Sequence, residues 1–414
     1  MEGSIARSDV ALDVGAEASD ALSALIARQR PGFCLEQPFY GDPEIYRRDL
    51  ERIFMRHWLY VGHVSELPWP GDYFVFELAG ESVIVVRGHD REVRALANVC
   101  RHRGSRVCWD KRGTAKTFLC PYHGWVYDLD GGLRGARLMP EDFDKSRYGL
   151  KPLRLEVLHG LMFLNFDDEA PTLGAAAKAL DASLKPFCLA EAKVACSRLY
   201  PIAANWKLSL ENYLECYHCA PAHPEYARSH SLKLPHEQTR GLQAELDTRA
   251  AAVGLATAKI SRIPSGEHLA GPHYFYDRHP LFEGYLTGSE DGKPLAPLLG
   301  DIPDFDGGAS NLQVGPVTFG LIYSDHAVIY VFTPRGPLQS DCLVVWLVRG
   351  DAVEGRDYDL DRLTWLWDVT TKADKAIIEH NQQGVSSRFY QPGPYSPMES
   401  FPIHFVDWYL KTIQ

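Results

Sequence analysis

The sequence of 414 residues lacks a long hydrophobic run, and its longest uninterrupted apolar stretch is the seven residues from Cys342 to Val348. A helix that crosses a membrane needs about 20 apolar residues, so we expect no membrane span. Acidic residues interrupt the apolar residues among the first 20, so no continuous apolar segment of the kind found in a signal peptide is present there. We therefore expect a cytoplasmic protein. Glycine (34) and proline (27) are too scarce for a collagenous or low-complexity chain.

Positive charge is also scarce, because 43 lysines and arginines face 54 acidic residues and the formal net charge is −11. This balance argues against nucleic-acid binding as a general function. The nine cysteines are an odd number spread along a long chain, unlike the framework of a small disulfide-rich secreted domain. In a reducing cytoplasm, we expect them to be core residues, metal ligands or catalytic groups.

The hydrophobic pattern divides the chain into three parts. Residues 1–44 are predicted to form an N-terminal arm with a helix, which packs on the catalytic domain. Residues 45–166 contain short Val- and Ile-rich segments separated by turns, which predicts an all-β domain. Residues 167–414 mix strands with helices, and the predicted fold class is α+β with an antiparallel sheet flanked by helices. The main elements predicted in this last part are strands at Val194–Ala203, Val317–Tyr323, Ala327–Phe332 and Cys342–Arg349, a helix at Trp206–Cys219, and a helix over 359–383 that stops at Gly384.

A metal-binding motif lies in the all-β part. Cys100 and His102 are followed, after seventeen residues, by Cys120 and His123. A glycine closely follows each half, as a tight metal-binding loop requires. Two thiolates and two imidazoles in paired loops suit a structural zinc ion or a Rieske [2Fe–2S] cluster, in which two His replace two Cys on one iron. Zinc motifs usually pair Cys with Cys and His with His, so the mixed pairs favour the cluster.

The segment between Cys100 and Cys120 is strongly basic. It holds six cations but only one acidic residue, Asp110, in a chain of net negative charge. This pattern is typical of a solvated loop face, and it also suits a docking patch for an acidic redox partner. The six cations are Arg101, Arg103, Arg106, Lys111, Arg112 and Lys116.

A second group of ligand-type residues lies in the mixed part. Glu211, Glu215 and His218 are spaced so that a helix places them on one stripe, which by itself is equally typical of a solvated polar face. His218 and His223 would point about 140° apart on a regular helix. A break near Pro221 would allow the two imidazoles to converge. A 2-His-1-carboxylate iron site then needs one more acid.

The late helix offers that acid. Asp374 is the only charged residue on a mostly apolar stripe of this helix. An unpaired carboxylate is expensive to bury, so we expect a cation or a metal beside it. The alternative is an ion pair at the helix edge with Lys375 or an arginine. Asp368 is the nearest competitor, but it lies on another face.

Together, these segments resemble the α subunits of Rieske non-haem iron oxygenases, the ring-hydroxylating and N-demethylating family. The resemblance rests on C-x-H…C-P-Y-H-G-W, on N-W-K…E-N…E-C-Y-H…H-P, and on the late Asp helix followed by G-P-Y-S-P-M-E-S. It covers nearly the whole chain in the right order. The ligands that it implies are Cys100 and Cys120 on one iron of the cluster, His102 and His123 on the other, and His218, His223 and Asp374 on a mononuclear Fe(II).

The resemblance also implies partners. The family typically forms a head-to-tail homotrimer, in which a carboxylate links the cluster of one subunit to the mononuclear iron of its neighbour. Glu215 matches that bridging position. Many members have Asp at this position. With Glu there, the chain is similar to the branch that oxidises quaternary ammonium compounds such as carnitine, glycine betaine and proline betaine. A separate NAD(P)H-dependent flavin and iron–sulfur reductase would deliver electrons, and O2 would be the oxidant.

Three functions stay open at this point. They are an oxygenase that N-demethylates a small quaternary or tertiary amine, an aromatic-ring hydroxylase, and an electron carrier or zinc-stabilised binding protein without oxygen chemistry. A quaternary ammonium substrate would require an aromatic cage. An anionic aromatic substrate would require a buried arginine, and no clear candidate stands out. The aromatic residues that could line the cavity are Tyr213, Tyr226, Tyr274, Phe275, Tyr276, Tyr323 and Phe332.

Overall fold

Two helices precede the first sheet. The first, α1, spans 21–28, and the second, α2, spans Pro43–Asp49 and is capped by Asp42, whose side chain accepts two backbone N–H bonds. The helical backbone then continues in a wider turn to Phe54. The computed structural model describes residues 21–230, 236–264, 269 and 271–414.

A strand-rich domain follows, in which every strand pair is antiparallel. Seven strands form one sheet in the order β1-β10-β9-β4-β3-β2-β5, and three short strands form a second sheet in the order β6-β7-β8. The β-branched run from Val83 to Val86 is buried, as expected for a central strand. The strands are β1 (Leu59–His63), β2 (Asp72–Leu78), β3 (Glu81–Arg87), β4 (Val93–Ala97), β5 (Arg112–Thr114), β6 (Phe118–Leu119), β7 (Val126–Tyr127), β8 (Leu133–Gly135), β9 (Pro152–Leu158) and β10 (Leu161–Asn165).

The rest of the chain is built on a seven-stranded antiparallel sheet in the order β11-β17-β16-β15-β14-β13-β12. The mixed fold class is confirmed, as are the four predicted strands. The sequence missed β12 to β14, because polar residues such as Arg278 interrupt the apolar pattern; Arg278 is buried and pairs with Asp306. The strands are β11 (Ala192–Ile202), β12 (Ile260–Arg262), β13 (Tyr274–Pro280), β14 (Gly308–Val314), β15 (Thr318–Ile322), β16 (His326–Gly336) and β17 (Gln339–Arg349).

Helices flank this sheet. The predicted helix at Trp206–Cys219 is too long, because α4 ends at Tyr213. The late helix does not stop at Gly384 but includes it, and Ser386 caps its C-terminus. The last helix, α9, was not predicted. The helices are α3 (Gly174–Leu184), α4 (Trp206–Tyr213), α5 (Cys219–Ala222), α6 (Pro224–Ala227), α7 (His236–Ala252), α8 (Leu360–Val385) and α9 (Ser400–Thr412).

A buried ion pair fixes α4 in place. The Lys207 ammonium contacts the Asp49 carboxylate of α2, and both side chains are fully buried. Trp206 and Tyr409 also donate hydrogen bonds to Asp49, at 3.0 and 2.8 Å. A buried charge needs such partners, and here they tie α2 and α9 to the start of α4. The helix α4 also packs against α8.

No helix in the described part of the chain has both the length and the apolar character needed to cross a membrane.

Candidate metal centres

Two loops with matching backbone hydrogen bonds carry the first set of candidate ligands. The amides of Cys100 and Cys120 each donate to the carbonyl five residues later, at 2.8 Å. Gly104 and Gly124 donate back to the carbonyls of these cysteines, at 2.9 and 3.0 Å. Both glycines have left-handed backbones, with φ of +77° and +73°, where a side chain would add strain. The paired glycines noted in the sequence are therefore required by the loop turns.

The loops place sulfur inside and imidazole outside. Cys100 and Cys120 are buried, whereas His102 is exposed and His123 is half-buried. The two imidazole rings lie 4.5 Å apart between centroids, and His102 also stacks on Trp125 at 4.9 Å. Two enclosed thiols and two outer imidazoles fit a Rieske cluster, with one iron held by sulfur and one by nitrogen. The four residues therefore meet, although their assignment as ligands stays a prediction.

Tyr127 is a neighbour of this centre that the sequence did not indicate. Its hydroxyl lies 3.2 Å from the Cys100 Sγ and accepts the backbone N–H of Arg101 at 3.0 Å. The phenol O–H is therefore free to donate to the sulfur. Burial, followed by the bond with Cys100, raises the pKa of Tyr127, so the proton stays on the phenol. Hydrogen bonds to sulfur are one of the factors that set the potential of an iron–sulfur cluster.

The second set of candidate ligands comes together from three elements. His218 lies just before α5, His223 lies between α5 and α6, and Asp374 lies on α8. The Nε2 atoms of His218 and His223 are 3.2 and 2.8 Å from the Asp374 Oδ1. One ligand atom from each residue lies within 4.8 Å of the other two. The carboxylate thus completes the set that the sequence predicted, in preference to Asp368, which instead pairs with Arg198 and Lys372.

The turn after α4 explains how His218 reaches this position. Glu215 folds back and accepts the backbone N–H groups of Tyr217 and His218, so the helix does not continue. A disulfide between Cys216 and Cys219 closes the same turn. The sequence placed the break near Pro221 and expected reduced cysteines, and the structure differs on both points. The break comes earlier because the Glu215 side chain competes for backbone N–H groups.

The electrostatics of the second centre favour a cation. Burial lowers the pKa of His218, but the hydrogen bonds with Asp374 and Glu215 outweigh this effect and raise the pKa to about 9. Burial raises the pKa of Asp374, but the two histidines outweigh it and lower the pKa. The second centre therefore favours positive charge, which a divalent metal would supply in place of the proton on His218. Two imidazoles and a carboxylate fit non-haem Fe(II).

Glu211 does not belong to this centre, although its spacing had placed it on the stripe of Glu215 and His218. Its carboxylate accepts hydrogen bonds from Tyr40 at 3.0 Å and Tyr395 at 3.2 Å. Burial raises its pKa to about 7. Glu211 therefore joins α4 to the N-terminal arm and to the segment before α9.

An aromatic cluster packs beside the second centre. Tyr330 bonds to Thr371 on α8 at 2.9 Å, one turn before Asp374, and its ring lies 5.2 Å from that of Tyr213. Tyr226 packs on Trp367 at 5.7 Å. Two residues of the predicted set also belong to this region. The Phe332 ring lies 5.5 Å from that of Tyr213. The Tyr323 hydroxyl is hydrogen-bonded to the His230 Nε2. The residues that the sequence missed are Phe319, Tyr330 and Trp367, which read as ordinary core.

The other predicted aromatics lie elsewhere. Tyr274, Phe275 and Tyr276 are on β13, where Phe275 packs on Phe401 at 5.4 Å. Tyr276 accepts a hydrogen bond from Ser310 at 2.9 Å within a separate core cluster. In the described part of the chain, neither their hydrogen bonds nor their ring contacts reach the second centre.

Both halves of the chain match known domain families. Residues 57–150 match the Rieske [2Fe–2S] domain, and residues 189–414 match the catalytic domain of the ring-hydroxylating alpha subunit. This combination defines an oxygenase in which one domain stores electrons and the other activates oxygen. The chain belongs to the ring-hydroxylating α-subunit family of Rieske non-haem iron oxygenases. It is an oxidoreductase whose cofactors are a [2Fe–2S] cluster and a mononuclear iron, which excludes the alternative of an electron carrier or zinc-stabilised binding protein. The exact domain boundaries at residues 44 and 166 stay predictions.

Individual relatives are similar over most of their length. The glycine betaine monooxygenase oxygenase subunit of Chromohalobacter salexigens is 37% identical over 401 residues, which cover 96% of this chain and 90% of the relative. The protein of the same description from Pseudomonas aeruginosa is 36% identical, with coverage of 96% and 92%. A solved quaternary ammonium Rieske monooxygenase in complex with L-carnitine has a TM-score of 0.70 at 23% identity, with coverage of 94% and 98%. Naphthalene 1,2-dioxygenase from Rhodococcus sp. has a TM-score of 0.66 at 20% identity, with coverage of 96% and 98%, and both structures share the fold.

Proposed function

We propose that the protein is the oxygenase subunit of a system that N-demethylates a small quaternary ammonium compound, with glycine betaine as the first candidate substrate. The observation that carries this proposal is the 37% identity to a glycine betaine monooxygenase subunit over 96% of the chain. The aromatic cluster of Tyr213, Tyr226, Tyr330 and Trp367 supports it. Ring faces attract a cationic nitrogen that cannot donate a hydrogen bond.

The reaction consumes one O2, two electrons and two protons for each substrate molecule. One oxygen atom enters an N-methyl group, whose C–N bond then breaks and releases formaldehyde, while the second oxygen leaves as water. The dimethylated amine remains. When bound, the metals supply electron storage at the cluster and oxygen reduction at the mononuclear site.

The chain's own residues hold and separate these centres. In this proposal, two cysteines and two histidines of the all-β domain bind the cluster, and two histidines and one aspartate of the α+β domain bind the mononuclear iron. The aromatic cluster orients the substrate cation and excludes water beside that site. The proposed ligands are Cys100, His102, Cys120, His123, His218, His223 and Asp374.

Glu215 is proposed to connect subunits. Its Oε1 lies 2.5 Å from His218 Nδ1, so the carboxylate orients a proposed iron ligand. Its side chain is about 12% exposed, which leaves it accessible to a second copy of the chain. In a head-to-tail homotrimer, this carboxylate would also accept a hydrogen bond from a cluster histidine of the adjacent subunit.

The basic segment is proposed to receive a separate NAD(P)H-dependent flavin and iron–sulfur reductase. Arg106 and Arg112 pair with Glu77 and Glu66, which leaves the segment with a surplus of exposed cations beside the first centre. Trp109 is 74% exposed within the same segment. An acidic reductase surface would complement this charge.

Coupled oxygen uptake would test the substrate. Purified protein with a reductase and NAD(P)H is given glycine betaine, carnitine, proline betaine or an aromatic acid. We expect O2 uptake matched by formaldehyde with glycine betaine and none with the aromatic acid. Product from an aromatic acid alone would instead identify the ring hydroxylase.

A further inference from the structure

Two buried polar atoms face one another without hydrogen bonds next to the second centre. They are the Nδ1 of His223 and the Oε1 of Glu225, and they lie 3.7 Å apart. The His223 side chain is only 1% exposed and that of Glu225 10%. A buried acceptor beside a buried imidazole nitrogen is costly unless the two atoms bond at some stage.

The other histidine of the centre shows what such a bond does. The Nδ1 of His218 is paired with the carboxylate of Glu215, and its Nε2 faces Asp374. The Nε2 of His223 also faces Asp374, at 2.8 Å. The two histidines thus have the same arrangement, with Nε2 towards the centre and a glutamate behind Nδ1. The difference is that His218 and Glu215 are within hydrogen-bond distance, whereas His223 and Glu225 are too far apart to form the bond.

We infer that Glu225 is a positioning residue for the metal at this centre. A metal on Nε2 of His223 requires the proton to be on Nδ1, and Glu225 is the acceptor within reach of it. The hydrogen bond would fix the ring orientation and make the nitrogen a stronger ligand. This inference rests on the proposed iron site.

An interaction with the helix dipole is the alternative explanation for a carboxylate at position 225, and it fits the structure less well. It lies in the first turn of α6, where a carboxylate is generally favourable. However, α6 has only four residues, so the dipole effect is small, and the unpaired oxygen is turned away from solvent. The two glutamates differ in their hydrogen bonds, because Glu215 also accepts backbone N–H groups of its own turn, whereas the Oε1 of Glu225 has no partner in the described part of the chain.

Metal retention in the holoenzyme tests the inference. Glu225→Ala and Glu225→Gln are compared with wild type for the loss of mononuclear Fe(II) to a chelator, with the cluster absorption as an internal measure of folding. We expect about 10- to 100-fold weaker retention for Glu225→Ala. Glu225→Gln should lose less, because its amide oxygen still accepts the Nδ1 hydrogen bond. The matched control is Glu44→Gln, which removes a first-turn carboxylate from α2, far from either centre in sequence.

A second readout separates positioning from a purely structural role. With Co²⁺ at the mononuclear site, the ligand-field absorption reports the geometry around the metal. We expect a changed spectrum in Glu225→Ala, partial return in Glu225→Gln and no change in Glu44→Gln. Wild-type retention and spectrum in Glu225→Ala would overturn the inference and leave the iron site standing. A wild-type protein that binds cluster iron but no mononuclear metal would overturn both.

Discussion

Individual side chains beside the proposed ligands lie close to both centres. Tyr127 reaches a cluster cysteine, and Glu225 stands behind an iron-site histidine. Tyr127 is 27 residues from Cys100, so only the fold shows their contact. Glu225 is close to His223 in sequence, but its spacing alone does not show that its carboxylate lies behind the Nδ1. The seven proposed ligands could be predicted because their residue types and spacing carry the chemistry, even for Asp374, which comes from a separate helix.

Replacing Tyr127 should change the cluster potential. Tyr127→Phe removes the O–H that reaches the Cys100 sulfur and keeps the ring. A hydrogen bond of about 1 kcal/mol corresponds to roughly 40 mV for one electron, so we expect the reduction potential to fall by about that amount. Redox titration followed by spin resonance measures it, and an unchanged potential would show that the bond does not involve the cluster.

Replacing Glu215 should disconnect the two centres. We expect Glu215→Ala, measured with both metal sites filled at saturating Fe(II), to lose most of the electron transfer from cluster to mononuclear iron, because the proposed bridge is removed. Stopped-flow absorption of the reduced cluster after mixing with O2 and substrate measures the rate. Glu215→Asp, which keeps the carboxylate on a shorter side chain, is the matched control. Wild-type turnover in Glu215→Ala would refute the bridge.

At the level of elements, α4 shows where the sequence pattern misleads. Its apolar and polar spacing continues to Cys219, but the helix ends at Tyr213. The competing bonds of the Glu215 side chain are local, yet nothing in the periodicity signals them. The strands β12 to β14 were missed for a related reason, because their buried polar residues find partners only in the folded sheet.

Glu211 should make the stability of the α4 region depend on pH. Its pKa is raised from 4.5 to about 7 in the fold, so the folded state favours the protonated form. The protonated form of Glu211 therefore contributes its full share to the free energy of unfolding below pH 4.5, and this contribution is lost as the pH rises through 7. We expect Glu211→Gln, which cannot ionise, to gain up to about 3 kcal/mol over wild type between pH 5 and 8. Thermal melting at both pH values measures the difference, and parallel pH profiles would contradict it.

At the level of the whole molecule, charge is distributed unevenly. The chain carries −11 overall, yet the segment between the two cluster loops is basic and exposed. The sequence indicated this patch, but it could not decide between a solvated face and a docking surface, since that depends on a partner. The chain has the same fold as both a quaternary ammonium monooxygenase and naphthalene dioxygenase. The fold therefore does not identify the substrate, which depends on the local chemistry of the site.

Salt should slow the entry of electrons if the basic segment receives an acidic reductase. Raising ionic strength screens attraction between exposed charges over about 10 Å at 0.1 M. We expect the second-order rate of cluster reduction by the reductase to fall several-fold between 0.05 and 0.5 M salt (~10-fold in ionic strength). Reduction by a small uncharged reductant is the control. A rate that does not depend on salt would remove the patch from the account.

The most direct test of the proposed iron site is a single turnover with and without the Asp374 carboxylate. Wild type and Asp374→Ala, each with a chemically reduced cluster, are mixed with O2 and glycine betaine, and metal content, cluster absorption and formaldehyde are measured together. We predict that wild type oxidises its cluster and forms formaldehyde. Asp374→Ala should keep the cluster colour, lose the mononuclear iron and form none. Full iron content and formaldehyde release in Asp374→Ala would contradict the account.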